Sequence, residues 1–318
     1  MKVVSLFCGA GGLDLGLISS GHNIVWATDI DQHAVDSYNF NIGNHAHAGD
    51  IKSIDAKDIP SCDLVVGGFP CQGFSVANTG RSADDTRNQL YLELLRIIRE
   101  KSPPFFLAEN VKGLLSLEKG RIFKIILKDF EDLGYKVKSR VLNAADYGVP
   151  QKRQRLIIVG VRNDIDYEFN FPEPTHAPVD KCELLGLKPW ISIGKALEHI
   201  PEPEDAPHII NHTYSRYKLR FNGYIGHRRI DPEQPAPTVT ARGDNKGGVV
   251  VLHHPKNHRR MSVRELASTQ TFPMDYSFQC TQSVAYRLIG NAVPPILGAA
   301  IGACFPIKPP LNLRSELK

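Results

Sequence analysis

The 318-residue chain predicts an α/β fold with a smaller, loop-rich second domain, and three observations carry that expectation. Short apolar runs ending in glycine or an acid alternate with amphipathic stretches of helical period through the first half, the pattern of strands and crossover helices in one sheet. From Phe171 onward the composition shifts. Prolines recur at 172, 174, 178, 189, 201, 203 and 207, and few apolar periods remain until Ser262, which reads as the cap opening a helix. Gly290-Asn291-Ala292-Val293-Pro294-Pro295 then opens a final apolar helix through Ala303, so the first domain is expected to be discontinuous, made of residues 1–172 and 283–318, with 173–282 as the second domain.

Lys2-Val3-Val4-Ser5-Leu6-Phe7 reads as the first strand, and Cys8-Gly9-Ala10-Gly11-Gly12 as a glycine turn opening a helix from Leu13. Such a turn after strand one cradles nucleotide-like ligands, although it lacks the spacing of the G-x-G-x-x-G dinucleotide fingerprint. Many unrelated α/β proteins share a glycine-rich first turn. The second strand, Asn23 to Asp29, ends in an acid placed to accept from ribose hydroxyls. Gly49-Asp50-Ile51 repeats a carboxylate at a strand end, where a plain turn is the competing reading.

Cys62-Asp63-Leu64-Val65-Val66 reads as a buried strand leading into Gly67-Gly68-Phe69-Pro70-Cys71-Gln72-Gly73-Phe74-Ser75. Cys71 therefore falls just past a strand's carboxyl end, where open α/β sheets do their chemistry. It is a candidate nucleophile; a buried inert thiol is the alternative. Residues 76–86 are polar and aperiodic, as a lid would be. A helix follows over 88–99, with a turn at Ser102-Pro103-Pro104. Then comes the strand Phe105-Phe106-Leu107-Ala108, ending in Glu109-Asn110-Val111. Beside a nucleophile loop, Glu109 could be protonated and donate to a base or carbonyl; a paired structural acid is the plainer reading. A helix over 120–133 and strands over 136–142 and 156–161 complete the sheet. Between the last two strands, alternation puts Gln151, Arg153 and Arg155 on one face, converging on one site.

Net charge is only +4, so contact with nucleic acid has to come from local clustering. Residues 216–220, 227–229, 242–246 and 256–260 supply it, interleaving bases with Tyr and Asn; a solvated basic face is the rival account. The six scattered cysteines, without a C-x-x-C pair and with no secretory leader, predict a reducing cytoplasm, no disulfide framework and no metal site. No apolar run is expected to span a bilayer.

Taken together, Phe7-x-Gly9-x-Gly11-Gly12, Pro70-Cys71-Gln72, Glu109-Asn110-Val111, Gln151-x-Arg153-x-Arg155 and Gly290-Asn291-Ala292-Val293-Pro294-Pro295 resemble the DNA cytosine-5 methyltransferase family, in its bacterial order. The resemblance covers nearly the whole chain outside part of 205–257. It implies a Rossmann-like S-adenosylmethionine-dependent methyltransferase sheet with helices on both faces, beside a small target-recognition domain. It also implies methyl transfer from S-adenosyl-L-methionine, leaving S-adenosyl-L-homocysteine, to C5 of a cytosine flipped out of double-stranded DNA.

By that resemblance Cys71 is the covalent nucleophile, Glu109 the proton donor, and Arg155, supported by Arg153, the holder of O2, with Pro70 and Gln72 flanking the thiol. Donor contacts fall to Phe7, Gly9, Gly11, Gly12, Asp29, Ile30, Asp50, Ile51, Leu90, Asn291 and Val293. DNA contacts fall to Ser75, Arg87, Arg228 and Thr238. A cytoplasmic, monomeric restriction-modification enzyme with a cognate endonuclease partner is expected. An RNA cytosine-5 methyltransferase is the alternative. An exocyclic amino methyltransferase is disfavoured, because Ser102-Pro103-Pro104-Phe105 precedes a strand instead of ending one. A catalytically idle DNA-binding relative lacks support, since every polar catalytic group is present.

Overall fold

The structure, a computed structural model, describes residues 1–69, 89–216, 229–241, 243–244, 248–249, 252–256 and 259–310. Seven strands form one sheet in the order β3-β2-β1-β4-β5-β7-β6. They are β1 (Lys2–Leu6), β2 (Asn23–Asp29), β3 (Ala46–Ala48), β4 (Leu64–Gly67), β5 (Phe105–Val111), β6 (Tyr135–Asn143) and β7 (Gln154–Arg162). β1 to β5 pair in parallel, and β7 runs antiparallel between β5 and β6.

Alternation along these strands divides the apolar residues between two faces. Val3, Leu64, Val66, Phe105, Leu107, Ile157 and Val159 pack on α1 (Gly12–Ser19), α2 (Gln32–Asn41) and α9 (Pro295–Gly302) through Leu17, Val35, Tyr38, Leu297 and Ile301. Val4, Leu6, Val65, Phe106, Ala108, Leu156 and Ile158 face α3 (Gln89–Lys101) and α4 (Arg121–Asp132) through Leu94, Ile98, Ile126 and Phe130. The expected sheet with helices on both faces is therefore present. Ser102 has φ 44° directly after α3, the helix-ending turn that Pro103 and Pro104 enforce.

A third apolar cluster joins α6 (Ile193–Leu197), α7 (Val263–Thr269) and α8 (Gln282–Asn291) to Ala10 and Ala34 of the sheet region. Ahead of these lies the seven-residue α5 (Val179–Leu185), none of whose residues is buried. β5 runs through Val111, so Glu109 lies in its carboxyl end as the sequence predicts, whereas one helix differs from the sequence expectation. Gly290 and Asn291 close α8, a helix that its unassisted N-cap, Thr281, does not announce. The window Gln282–Gly302 is long and apolar enough to cross a membrane, contrary to the reading of the sequence, but it is 61% buried within the protein. It consists of α8 and α9 separated by the extended residues Ala292 and Pro294.

Candidate active site at the carboxyl edge of the sheet

The glycine turn sits where β1 ends, and its geometry suits a closely approaching ligand. Gly9 has φ +53° and open space where a side chain would be. Gly12 leaves no room for one, because a Cβ there would lie 2.4 Å from the carbonyl oxygen of Val293. The linker between α8 and α9 thus closes the back of the turn, and α9 itself packs on α1 at Gly16, where a Cβ would lie 2.4 Å from Pro295 O. Asp29 holds the front: its carboxylate accepts from Gly9 N at 2.8 Å and Asp31 N at 2.9 Å, and burial raises its pKa. Ile30 projects into solvent at 74% exposure, a large aliphatic side chain left beside the turn. Beneath the turn Asp14 is fully enclosed, accepting from Ser5 Oγ and Tyr38 OH at 2.8 Å each, with burial pushing its carboxyl up to about 6.

The other expected donor contacts are distributed differently. Phe7 adopts φ 55°, turning the chain out of β1. Asp50 caps the short turn Ile51–Ser53 by accepting from Lys52 N. Ile51 is buried in the second core cluster and Val293 in the first, so neither offers its side chain to a ligand, only its backbone. Asn291 is exposed at the end of α8, and Leu90 is half-buried on α3.

The adjacent strands β4 and β5 build the acid end of the site. Arg155 Nε meets Glu109 Oε1 at 2.8 Å, both side chains nearly enclosed. A Cβ on Gly68 would lie 3.0 Å from Glu109 Oε2, so the loop leaving β4 passes directly over that carboxylate. Asn110 Nδ2 donates to Phe69 O at 2.9 Å and fixes the same loop one residue before Pro70. Pro70, Cys71, Gln72, Ser75, Arg87 and the expected lid lie outside the described residues, as does Arg228.

Gln151, Arg153 and Arg155 do not converge on one site. Only Arg155 reaches Glu109. Arg153 is completely buried and donates to Val239 O at 2.8 Å and Gly290 O at 2.9 Å. Gln151 accepts from Val239 N at 2.8 Å and donates to Gln270 Oε1 at 2.7 Å. The reason is local: β7 begins at Gln154, so residues 151–153 are not in the extended ladder and do not obey its alternation. Arg153 thus braces the second region against the end of α8, within the field of Arg155 and Glu109. Thr238 Oγ donates to Lys152 O at 2.7 Å. Gln270, which sequence reasoning missed, completes the brace by donating to Ile289 O and Ala292 O.

Four of the five described thiols are kept neutral by burial: Cys8 well above its ordinary value, Cys62 pushed up to about 12, Cys280 to about 11, and Cys304 raised. Among the described residues no cluster of His, Cys, Asp or Glu could hold a metal ion.

Comparison with known proteins places this arrangement. Residues 1–304 match the pattern of the C-5 cytosine-specific DNA methylase family. The Type II methyltransferase M.NgoFVII of Neisseria gonorrhoeae is 38% identical over 92% of this chain and 83% of its own. M.BspRI of Lysinibacillus sphaericus is 37% identical over 94% of this chain and 80% of its own. Among solved structures, a candidate DNA modification methyltransferase encoded within an E. coli prophage superposes with a TM-score of 0.73 at 25% identity, covering 96% of this chain and 98% of that one. The S. pombe Dnmt2 methyltransferase gives 0.73 at 20% identity over 100% and 99%, a likeness of fold. With a family match spanning the sheet, the second region and the returning helices, the chain belongs to the C-5 cytosine-specific DNA methylases and is a DNA cytosine-5 methyltransferase of the restriction-modification type.

Proposed function

We propose that the protein transfers a methyl group from S-adenosyl-L-methionine to C5 of a cytosine flipped out of a specific duplex DNA sequence, through a covalent bond between Cys71 and C6. The observation that carries this reading is the Glu109–Arg155 pair lying under the loop that Asn110 anchors at Phe69, one residue ahead of Pro70 and Cys71. It brings an acid and a guanidinium to the root of the thiol-bearing loop.

The donor fits the glycine turn. Gly9 leaves space open, Asp29 retains unused lone pairs for hydroxyls, and Ile30 offers an apolar surface to a flat heterocycle. When bound, the sulfonium supplies an electrophilic methyl group. This chain's residues supply the rest. C5 of cytosine is a weak nucleophile, so the Cys71 thiolate adds to C6 while Glu109 delivers a proton to N3, turning the ring into an enamine. Arg155 holds O2 and balances the charge that grows on the ring. After transfer, loss of the C5 proton to a base lets the ring rearomatise and expel Cys71. Residues 73–87 would cover the flipped base, with Ser75 and Arg87 on the DNA and Arg228 and Thr238 reaching it from the second domain, residues 173–282. A monomer in the cytoplasm, working beside a cognate endonuclease, is the setting this reading implies.

The test is covalent capture by duplex DNA carrying 5-fluorocytosine, which cannot lose its C5 substituent as a proton. Wild-type protein with donor should form a denaturation-resistant adduct, while Cys71→Ser should form none yet bind donor as before. A C71S variant that still methylates overturns the mechanism. Methyl transfer to tRNA in preference to plasmid DNA would instead favour an RNA substrate. Glu109→Gln should lower the single-turnover rate by about 10²–10⁴.

A further inference from the structure

Asp14 lies in the first turn of α1, enclosed beneath the glycine turn, and takes no part in the chemistry proposed for Cys71, Glu109 and Arg155. We infer that Asp14 is the counter-charge for the cationic sulfonium of the methyl donor, and that it lets the turn hold the charged donor more tightly than the neutral thioether left after transfer. The inference rests on the reading of the glycine turn as the donor site and deepens it, from where the donor sits to how its charge is distinguished.

Asp14 has hydroxyl partners but no cation. Its Oδ1 accepts from Ser5 Oγ of β1 and its Oδ2 from Tyr38 OH of α2, and among the described residues it is in no ion pair. A carboxylate shut away from water is costly when two neutral donors replace only part of its lost hydration. The other groups around it add no positive charge. Cys8, within the turn, lies in the field of both Asp14 and Asp29, and Tyr276 OH closes the far side by donating to Ala10 O and Ser37 O. α9, packed on α1, is built of Pro, Ile, Leu, Gly and Ala alone. The same packing ties the acid to the turn: a Cβ at Gly11 would lie 2.9 Å from Tyr38 Cδ2, so the ring whose hydroxyl meets Asp14 also forms the floor under the turn.

A route for the proton leads out of this interior. Tyr38 OH lies 3.2 Å from Nε2 of His45, which is half-buried and so reaches solvent. With Asp14 ionised, Tyr38 donates to Asp14 and accepts from His45 Nε2–H. With Asp14 protonated, Asp14 donates to Tyr38 and Tyr38 donates to His45 Nε2. Passing from the second state to the first breaks the Asp14 O–H bond, gives that proton to Tyr38 and hands the former Tyr38 proton to His45, which releases a proton to water. Burial, followed by His47, lowers the pKa of His45, so the ring does not retain it. A cation arriving at the turn favours the ionised state, whereas the uncharged thioether does not. Donor binding therefore expels a proton along this path, and the attraction disappears once the methyl group has left.

Calorimetric titration of S-adenosyl-L-methionine and of S-adenosyl-L-homocysteine into the full chain, from about pH 5 to about pH 7, separates the charge from everything the two ligands share. Their affinity ratio should rise about fivefold in favour of S-adenosyl-L-methionine across that interval, the effect of a one-unit fall in the pKa of a carboxyl that starts near 6. Asp14→Asn presents an amide to the same two hydroxyls but cannot ionise, so the ratio should become independent of pH while S-adenosyl-L-homocysteine binds as before. Tyr38→Phe removes one donor to the carboxylate and should move the midpoint of the rise to higher pH. A wild-type ratio that does not change with pH, a rise that survives D14N, or a midpoint that Y38F leaves in place overturns the inference while the glycine turn remains the donor site. Failure of the wild-type protein to bind either ligand would instead remove that reading of the turn, and the inference with it.

Discussion

The sheet and the region that follows it solve the same problem by different means. Within the sheet, backbone polar groups are paired along strands, and the interior can be filled with Val, Leu, Ile and Phe. Among the described residues of the second region, the strands are two residues long and the remaining bridges are isolated. Its carbonyls are met instead by buried guanidinium groups. Arg264, completely enclosed, donates to Ile210 O, Pro273 O and Tyr276 O. Arg259 is shared between Glu202 and Glu265, and Glu265 in turn closes a capping box with Ser262 at the start of α7. Where a chain must stay irregular to present loops to a ligand, a planar five-donor side chain can tie several turns together at one point.

Five substitutions probe that contrast, beginning with the largest effect. Arg264→Met should cost about 3–5 kcal/mol in denaturant unfolding, because three buried carbonyls lose their donors at once. Leu107→Ala, at the centre of the sheet, provides the reference at about 2–5 kcal/mol. An R264M loss below 1 kcal/mol would show that the second region is held by its apolar cluster instead. Arg153→Met crosses between the two regions and should cost about 2–3 kcal/mol. Because the brace joins Val239 to Gly290, the unfolding transition should also broaden, as the second region loosens ahead of the sheet.

Asp14→Asn tests the sheet side through pH. Asp14 has a folded pKa near 6 against an ordinary 3.8, so the folded state holds the extra proton between those values. Stability contributed by the protonated form is fully present below pH 3.8 and is lost as pH rises through 6. The slope of stability against pH across that window should therefore be less negative in D14N, by an integrated amount of about 3 kcal/mol. An unchanged profile would mean that Asp14 is solvated. Ser262→Ala, which removes one side of the capping box, should lower the melting temperature by the equivalent of about 1 kcal/mol.

The contrast also explains what could be read in advance. The sheet was legible because a buried strand must be apolar with period two and must end in a turn, so β1, β2 and β4 and the glycine turn stand out residue by residue. Glu109 and Arg155 were legible for the same reason, as polar groups on apolar strands. Arg153 misled because alternation was extended past the start of β7 into chain that is not a strand. The hubs Arg264, Glu265 and Gln270 were invisible, since nothing local marks a guanidinium or amide as buried when its partners are carbonyls scattered over tens of residues. Ser262 was the exception, its capping role being a matter of three residues.

The contact between Gly12 and the Val293 carbonyl has a consequence for biosynthesis. The wall behind the donor turn is supplied by the linker that leads into α9, nearly three hundred residues downstream, so a nascent chain on the ribosome carries the turn long before it carries what backs it. The ability to bind donor should thus arise only after α9 has been translated and has docked on α1, whatever the state of the strands already made. Truncations that stop short of Pro295 are expected to fold much of the sheet and yet remain inert.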